Sequence, residues 1–485
     1  MKLNRVSAQR PVKYPERILQ FGEGNFLRSF VDWMVDIMNE KANFNSGVVV
    51  AQPISQGMAD FINKQDGLYH LCLRGMNQGK PIEEFRLIES INRAINPYTE
   101  FNKYISLASS PELRFIISNT TEAGISYDQN DTFEMTPQQS FPAKVTSFLY
   151  KRFQHFKGAP DKGIILICCE LIDRNADNLH KLVNRYIEKW GLEESFKTWI
   201  DTSCAFCNSL VDRIVPGYPR EEAPALCEKL GYEDQLITVG EYFHLWVIEA
   251  PEWVRKEFPA PAAGLDVRFV DDMTAYRERK VRVLNGAHTG TVALSLLSGI
   301  GTVRESIEDP VLGGFMRKMV YDEILLPLEG DKEDLKVFAD RILERFYNPF
   351  VKHQWTSIAL NSLSKWVTRN EPSLVDYYHK TGKAPQCLTL SLAALILYYR
   401  GSYQGKSFTP QDDAINIQVM DQAWEKYNTH HSIHLLLKDI FENGSWWNKN
   451  LLKEIPELSA ALEQCIKELL NNPAKDVISK IAQLS

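Results

Sequence analysis

No apolar run in this chain approaches the roughly 20 residues that a membrane-spanning helix needs. Even LSLAALILYY at Leu390–Tyr399 stops well short. The first residues, MKLNRVSAQRPVKYPE, lack the apolar core of a signal peptide, so the cytoplasm is the expected compartment. Cysteine is scarce, eight in 485 residues, and a disulfide framework is not expected of so long a chain. Cys168 and Cys169 end an apolar run, and Cys204 and Cys207 form a C-x-x-C. No second C-x-x-C accompanies it, so these thiols read as structural and no metal is expected. Positive charge is not concentrated either. The net charge is -7 with lysines and arginines scattered, which argues against a nucleic-acid surface or an anionic membrane as partner. An anionic small molecule would need a local cationic pocket. Internal repeats and low-complexity tracts are also missing.

What is present is ordinary globular composition, 44% hydrophobic and 24% charged, in a chain long enough for two or so compact units. Glu16–Glu40, ERILQFGEGNFLRSFVDWMVDIMNE, reads as a short strand, a glycine turn and a helix, with Phe26, Phe30, Met34 and Ile37 at helical spacing. GVVVAQP at Gly47–Pro53 is a β-branched strand ended by proline, which completes a βαβ unit and begins a parallel sheet. RFIISNT (Arg114–Thr120) and GIILICCE (Gly163–Glu170) are further buried strands. Their polar ends are candidate site residues, because ligands of open α/β sheets sit at the carboxyl ends of strands. After about Val270 the texture becomes helical, with leucine stripes in DPVLGGFMRKMVYDEILLPL, KEDLKVFADRILERFYN, LTLSLAALILYYRG and SIHLLLKDIFENG. EYFHLWVIEAP and LDVRFVDDM are expected to be strands bridging the two halves.

Gly22-Glu23-Gly24 follows a strand and opens a helix, the context a dinucleotide-binding turn requires. The glycines allow a tight turn and close approach of a pyrophosphate, while the helix amino end offers unpaired N–H groups. Arg28, one turn in, would add a cation. Leu27 stands where the third glycine of G-x-G-x-x-G would fall. Gln52 and Pro53 end the second strand in place of the acid that usually holds an adenosine ribose.

ERKVRVLNGAHTG, Glu278–Gly290, sets Lys280, Asn285 and His288 in an apolar run. On a regular α-helix Asn285 lies about 140° round from Lys280 and His288 about 80°, so the three share one side. Two readings fit. In one, Lys280 snorkels to solvent, Asn285 caps a kink and His288 is a core residue. In the other, a partly buried lysine of lowered pKa is general acid or base on an alcohol or ketone oxygen, Asn285 donates to that oxygen, and His288 orients the lysine or bonds a substrate hydroxyl.

Gly22–Arg28 (GEGNFLR), Gln65–Tyr69 (QDGLY), Asn208–Pro216 (NSLVDRIVP) and the K-x-x-x-x-N-x-x-H of Lys280–His288 together resemble the mannitol dehydrogenase family of polyol-specific long-chain dehydrogenases. The resemblance implies an α/β fold with a Rossmann-like NAD-binding domain over 1–270. A mainly α-helical substrate and catalytic domain over 271–485 would follow, with the active site in the cleft between them. It implies NAD as cofactor, no metal, and oxidoreduction of a CH–OH group in carbohydrate metabolism. Carried over by position, Lys280 is the catalytic lysine, Asn285 steadies the reacting oxygen and His288 stands beside it. The cofactor would lie on Phe21, Gly22, Glu23, Gly24, Asn25, Phe26, Leu27 and Arg28.

Two positions depart from the family's mannitol enzymes. Leu171 stands where they have an asparagine, leaving Asn175 as the nearest amide, and Ser357 stands where they carry an arginine. Polyol hydrogen-bonding therefore differs from theirs and disfavours mannitol, and the resemblance implies a sugar acid as substrate. Its carboxylate would be met by Lys352, Lys365 or Arg369, with His353 bonding a hydroxyl and Asn175 a further contact. Asp212 and Arg213 are expected to form a structural ion pair.

Overall fold

Short β-branched and aromatic runs in the first half form the strands. They are β1 (Glu16–Phe21), β2 (Gly47–Ala51), β3 (Tyr69–Asn77), β4 (Lys80–Ile88), β5 (Ile91–Ile95), β6 (Phe115–Ser118), β7 (Ile165–Cys168) and β8 (Ala205–Cys207). Then follow β9 (Ser209–Asp212), β10 (Thr238–Glu241), β11 (Leu245–Glu249) and β12 (Val267–Val270). The computed structural model describes residues 1–482. It divides into two units, Met1–Gly75 with Ile82–Met273, and Met76–Pro81 with Thr274–Ser485.

In the first unit β5-β2-β1-β6-β7-β8 form one parallel sheet. Its order reverses direction at the β1/β6 boundary, the arrangement of a Rossmann sheet. Alternate residues face opposite sides. Ile18, Val48, Val50, Phe115, Ile117, Ile165 and Ile167 enter one core, while Leu19, Val49, Ala51, Ile116, Leu166 and Cys168 enter the other. Both faces are covered, which is why these strands read as continuous apolar runs. β11 and β12 pair in parallel, with β9 antiparallel on the other side of β11, so these two strands belong to the first unit and do not bridge the halves.

The helix after the glycine turn comes in two pieces, Asn25–Ser29 and Val31–Lys41. The break has a local cause. Tyr69 donates its hydroxyl to the Arg28 carbonyl at 2.6 Å, and Arg213 donates to the Ser29 carbonyl. Both carbonyls are thus drawn out of the helical ladder, and Phe30 takes a non-helical conformation between the pieces. Arg213 also donates to the Phe243 carbonyl and lies over the Trp33 ring, a clamp on main chain.

The leucine-striped segments of the second half are helical: Pro310–Lys318, Lys332–Phe346, Gln386–Tyr398 and Ile433–Asn443. Two stretches depart from α geometry. Lys280–Asn285 and Met319–Ile324 are π-helical turns, each continuous with the α-helix beside it. Glu323, on the second, accepts from the N–H groups of Cys387 and Leu388 and so caps helix Gln386–Tyr398.

Asp32, in the first turn of Val31–Lys41, is fully buried and accepts from Gln20 Nε2 at 3.1 Å. Burial pushes its carboxyl from 3.8 up to about 7. The folded state therefore holds a proton that the unfolded chain has already lost. The stability this group contributes is fully present below its unfolded pKa and is lost as pH rises through about 7. Urea unfolding of Asp32→Asn should show the variant gaining on the parent as pH is raised from about 4 to 7. A difference in unfolding free energy that stays flat over that range would exclude Asp32 as the source.

Candidate active site

The glycine turn is tight. Gly22 has φ +123°, and a Cβ there would sit 2.8 Å from the Asn119 carbonyl oxygen at the end of β6, so only glycine fits. Gly24 is exposed, with no atom within 4 Å of where a Cβ would lie. Phe21 and Leu27 are buried and serve the core. Asn25 and Phe26 are partly exposed. The cation expected of Arg28 is spent inside the protein. Its guanidinium is buried and donates to the carbonyls of Glu23 and Leu236 and to Asn25 Oδ1, and it lies over the Tyr69 ring. Glu23 is 8% exposed, and its Oε2 has no hydrogen-bond partner.

At the neighbouring strand ends, Glu170 ties β6 to β7. It accepts from the Ser118 and Thr120 hydroxyls and the Thr120 N–H. Asn175 is completely buried. Its amide donates to the carbonyls of Cys168, Glu170 and Ser209 at 3.0 Å each and accepts from the N–H groups of Ala176 and Ser209. These bonds assign it to holding β7, β9 and the start of its own helix.

In the second unit, Lys280 and Asn285 stand at the two ends of the π turn, both partly exposed. The Gly286 N–H reaches back five residues to the Val281 carbonyl. With this i to i+5 step, residue 285 comes back over residue 280 more closely than the 140° of an α-helix allows. Helix Gly286–Leu297 follows without interruption and carries His288 in its first turn. Two glycines let this segment lie close to its neighbours. A Cβ on Gly286 would meet the Arg369 carbonyl at 3.3 Å, and one on Gly290 would meet Met319 Sδ at 2.6 Å. Asn370 Nδ2 donates to the Gly286 carbonyl at 3.1 Å in the buried interior.

His288 is buried. Its ring stacks on Phe346 at 4.4 Å and meets His353 edge-on at 5.2 Å, and its Nε2 has no partner. Burial holds its pKa well below the usual histidine value, and His353, Arg345 and Arg369 lower it further. His288 is thus a neutral imidazole with one buried nitrogen that has no partner. His353 is lowered by burial as well. Arg369 donates to Thr289 Oγ1 at 3.1 Å, and burial lowers its pKa. Lys365, one turn earlier on the same helix Ser362–Arg369, donates to the Ile358 carbonyl at 3.2 Å and is lowered by burial and by Arg369.

The structure thus brings His288, His353, Arg369 and Lys365 into one neighbourhood. Lys352 is exposed and lends its field to Glu305 instead. Sequence reasoning missed Asn370 and Phe346. An Asn before Glu-Pro signals a helix boundary, but nothing local tells that its amide reaches Gly286. Asn370→Ala removes that buried bond and should cost about 1–3 kcal/mol of stability, measured by urea unfolding. An unchanged midpoint would mean that the contact contributes nothing.

The chain matches the mannitol dehydrogenase Rossmann domain over residues 16–260 and the mannitol dehydrogenase C-terminal domain over residues 272–466. It is 46% identical to an altronate oxidoreductase of Phocaeicola vulgatus over 463 residues, 95% of each chain. It is 48% identical to that of Bacillus subtilis over 423 residues, 87% of each. Among solved structures it resembles Pseudomonas fluorescens mannitol 2-dehydrogenase in a ternary complex with NAD and D-mannitol (TM-score 0.65, 22% identity, all of both chains). It also resembles a D-sorbitol dehydrogenase in substrate-free form (TM-score 0.80, 20% identity, 99% and 100% of the chains).

Proposed function

The chain belongs to the mannitol dehydrogenase family, and from that premise we propose that it interconverts D-altronate and D-tagaturonate with NAD(H), a step of hexuronate catabolism. The observation that carries the reading is the extent of the likeness to altronate oxidoreductases, which runs over nearly the whole of both chains. The glycine turn fits a dinucleotide, with a positive-φ glycine, an open glycine beside it and an orphaned carboxylate oxygen. Bound NAD(H) supplies the hydride or accepts it.

The protein's part is position, proton and electrostatics. In reduction Lys280, as ammonium, gives its proton to the ketone oxygen as that oxygen gains negative charge; in oxidation it takes the proton back. Asn285, at the far end of the same π turn, donates to that oxygen. Neutral His288 adds no positive charge to repel the ammonium, and its Nε2, buried without a partner, would bond a substrate hydroxyl. Arg369 and Lys365 are cations one helical turn apart, a repulsive pair that a substrate carboxylate would relieve. Both have surrendered some hydration to burial. His353, beside His288, would bond a second hydroxyl. Asn175 and Lys352 take no part in this reading.

Lys280→Ala should lower turnover about 10²–10⁴-fold while NADH binding is retained, followed by NADH absorbance and by a binding titration. Near-normal turnover would rule out the proton-transfer role. Arg369→Ala should raise KM for tagaturonate yet leave weak activity on an uncharged ketose of equal length unchanged. Comparable loss on both substrates would argue against a carboxylate contact. A panel including fructuronate and mannitol tests the substrate, and preference for either over tagaturonate would displace it.

A further inference from the structure

The end of β2 lacks the acid that usually holds an adenosine ribose, and the structure shows what stands there. Gln52 is buried and committed to its own loop, donating to the Ile54 carbonyl at 2.8 Å and accepting from the Ala59 N–H at 3.3 Å. A carboxylate nevertheless reaches this loop. Glu23, from the glycine turn after β1, accepts from the Met58 N–H through Oε1 at 3.4 Å. Gly57 marks how close the approach is. A Cβ on it would lie 2.1 Å from Glu23 Oε1 and 2.6 Å from Gln52 Cδ, so the two side chains meet on the face of one glycine. The carboxylate of the β1 turn thus lies at the carboxyl end of β2.

Its second oxygen is the unusual part. Oε2 is buried without a partner in a side chain more than nine-tenths covered, and an unpaired carboxylate oxygen in such a place costs free energy unless a donor arrives. The Glu23 N–H eases the carboxylate only in part, and the Arg28 guanidinium turns away to the Glu23 and Leu236 carbonyls and Asn25. Vicinal hydroxyls of a ribose are donors of the right kind, and they are what a dinucleotide presents at this corner of a Rossmann sheet. A 2′-phosphate would instead set an anion against a poorly solvated carboxylate.

We propose that Glu23 holds the adenosine ribose hydroxyls of the cofactor and selects a dinucleotide with a free 2′-hydroxyl over one with a 2′-phosphate. This rests on the dinucleotide-binding reading above, and one titration separates the two. Dissociation constants for NADH and NADPH are measured by nicotinamide fluorescence for the parent chain, Glu23→Gln and Glu23→Asp, with thermal unfolding alongside. The parent should bind NADH and discriminate against NADPH. Glu23→Gln should weaken NADH and shrink the NADPH-to-NADH ratio of dissociation constants by roughly tenfold or more. Glu23→Asp, which keeps the charge, should weaken NADH while still excluding NADPH. A merely structural role for Glu23 would weaken both nucleotides alike and leave the ratio at the parent value, which would overturn the proposal. Should Glu23→Gln fail to fold, the aspartate variant carries the test, and a loss of discrimination there overturns it too. A parent chain that binds neither nucleotide removes the dinucleotide reading itself.

Discussion

In both units the site geometry depends on where a main-chain carbonyl finds its donor. Around Lys280 the ladder steps by five residues, and the Gly286 carbonyl that follows is met by the Asn370 amide. The step brings Asn285 back over Lys280, and the helix it leads into carries His288 against Phe346 and His353. Two glycines make this possible, Gly286 under the Arg369 carbonyl and Gly290 under Met319. The lysine's surroundings follow from the backbone irregularity, and the irregularity is held by side chains distant in sequence.

The first unit uses the same device. Tyr69 and Arg213 take the carbonyls of Arg28 and Ser29, and the helix behind the glycine turn breaks at Phe30. The short first piece is tied by Arg28 to its own turn and to Leu236, because the buried guanidinium gathers their main-chain oxygens. That commitment turns the guanidinium away from the Glu23 carboxylate, which feels its field without a direct bond. Burial raises its carboxyl above the ordinary glutamate value, with only partial relief from main-chain N–H groups and the field of Arg28. Donors from a bound ligand would favour its ionised form.

The four central strands β1, β2, β6 and β7 were legible in the sequence as short runs buried on both faces, whereas the edge strands β5 (INRAI) and β8 (AFC) carry too little apolar pattern to stand out, and the leucine stripes of the second half marked helices by the same logic of burial. The β3–β4 hairpin escaped notice, although Gln78-Gly79, both with positive φ, is a turn signal. The π turn could not be read, because i to i+5 pairing leaves no periodicity within six residues. Arg28 was misjudged for a general reason. Charged side chains are surface residues by default, and the carbonyl that buries this one, that of Leu236, lies 208 positions away. Lys280, Asn285 and His288 were named from their motif, whereas the neutrality of His288 follows from burial and from Arg345, Arg369 and His353, none of them close in sequence.

The central claim is that the Lys280 amine moves the proton at the reacting oxygen. Chemical rescue tests it most directly. Turnover of Lys280→Ala is followed in the presence of small primary amines that differ in basicity. The account predicts that amines restore turnover in proportion to their concentration, and that oxidation of altronate is rescued more strongly by the more basic amines. Absence of rescue by any amine, in a variant that still binds NADH, would contradict it.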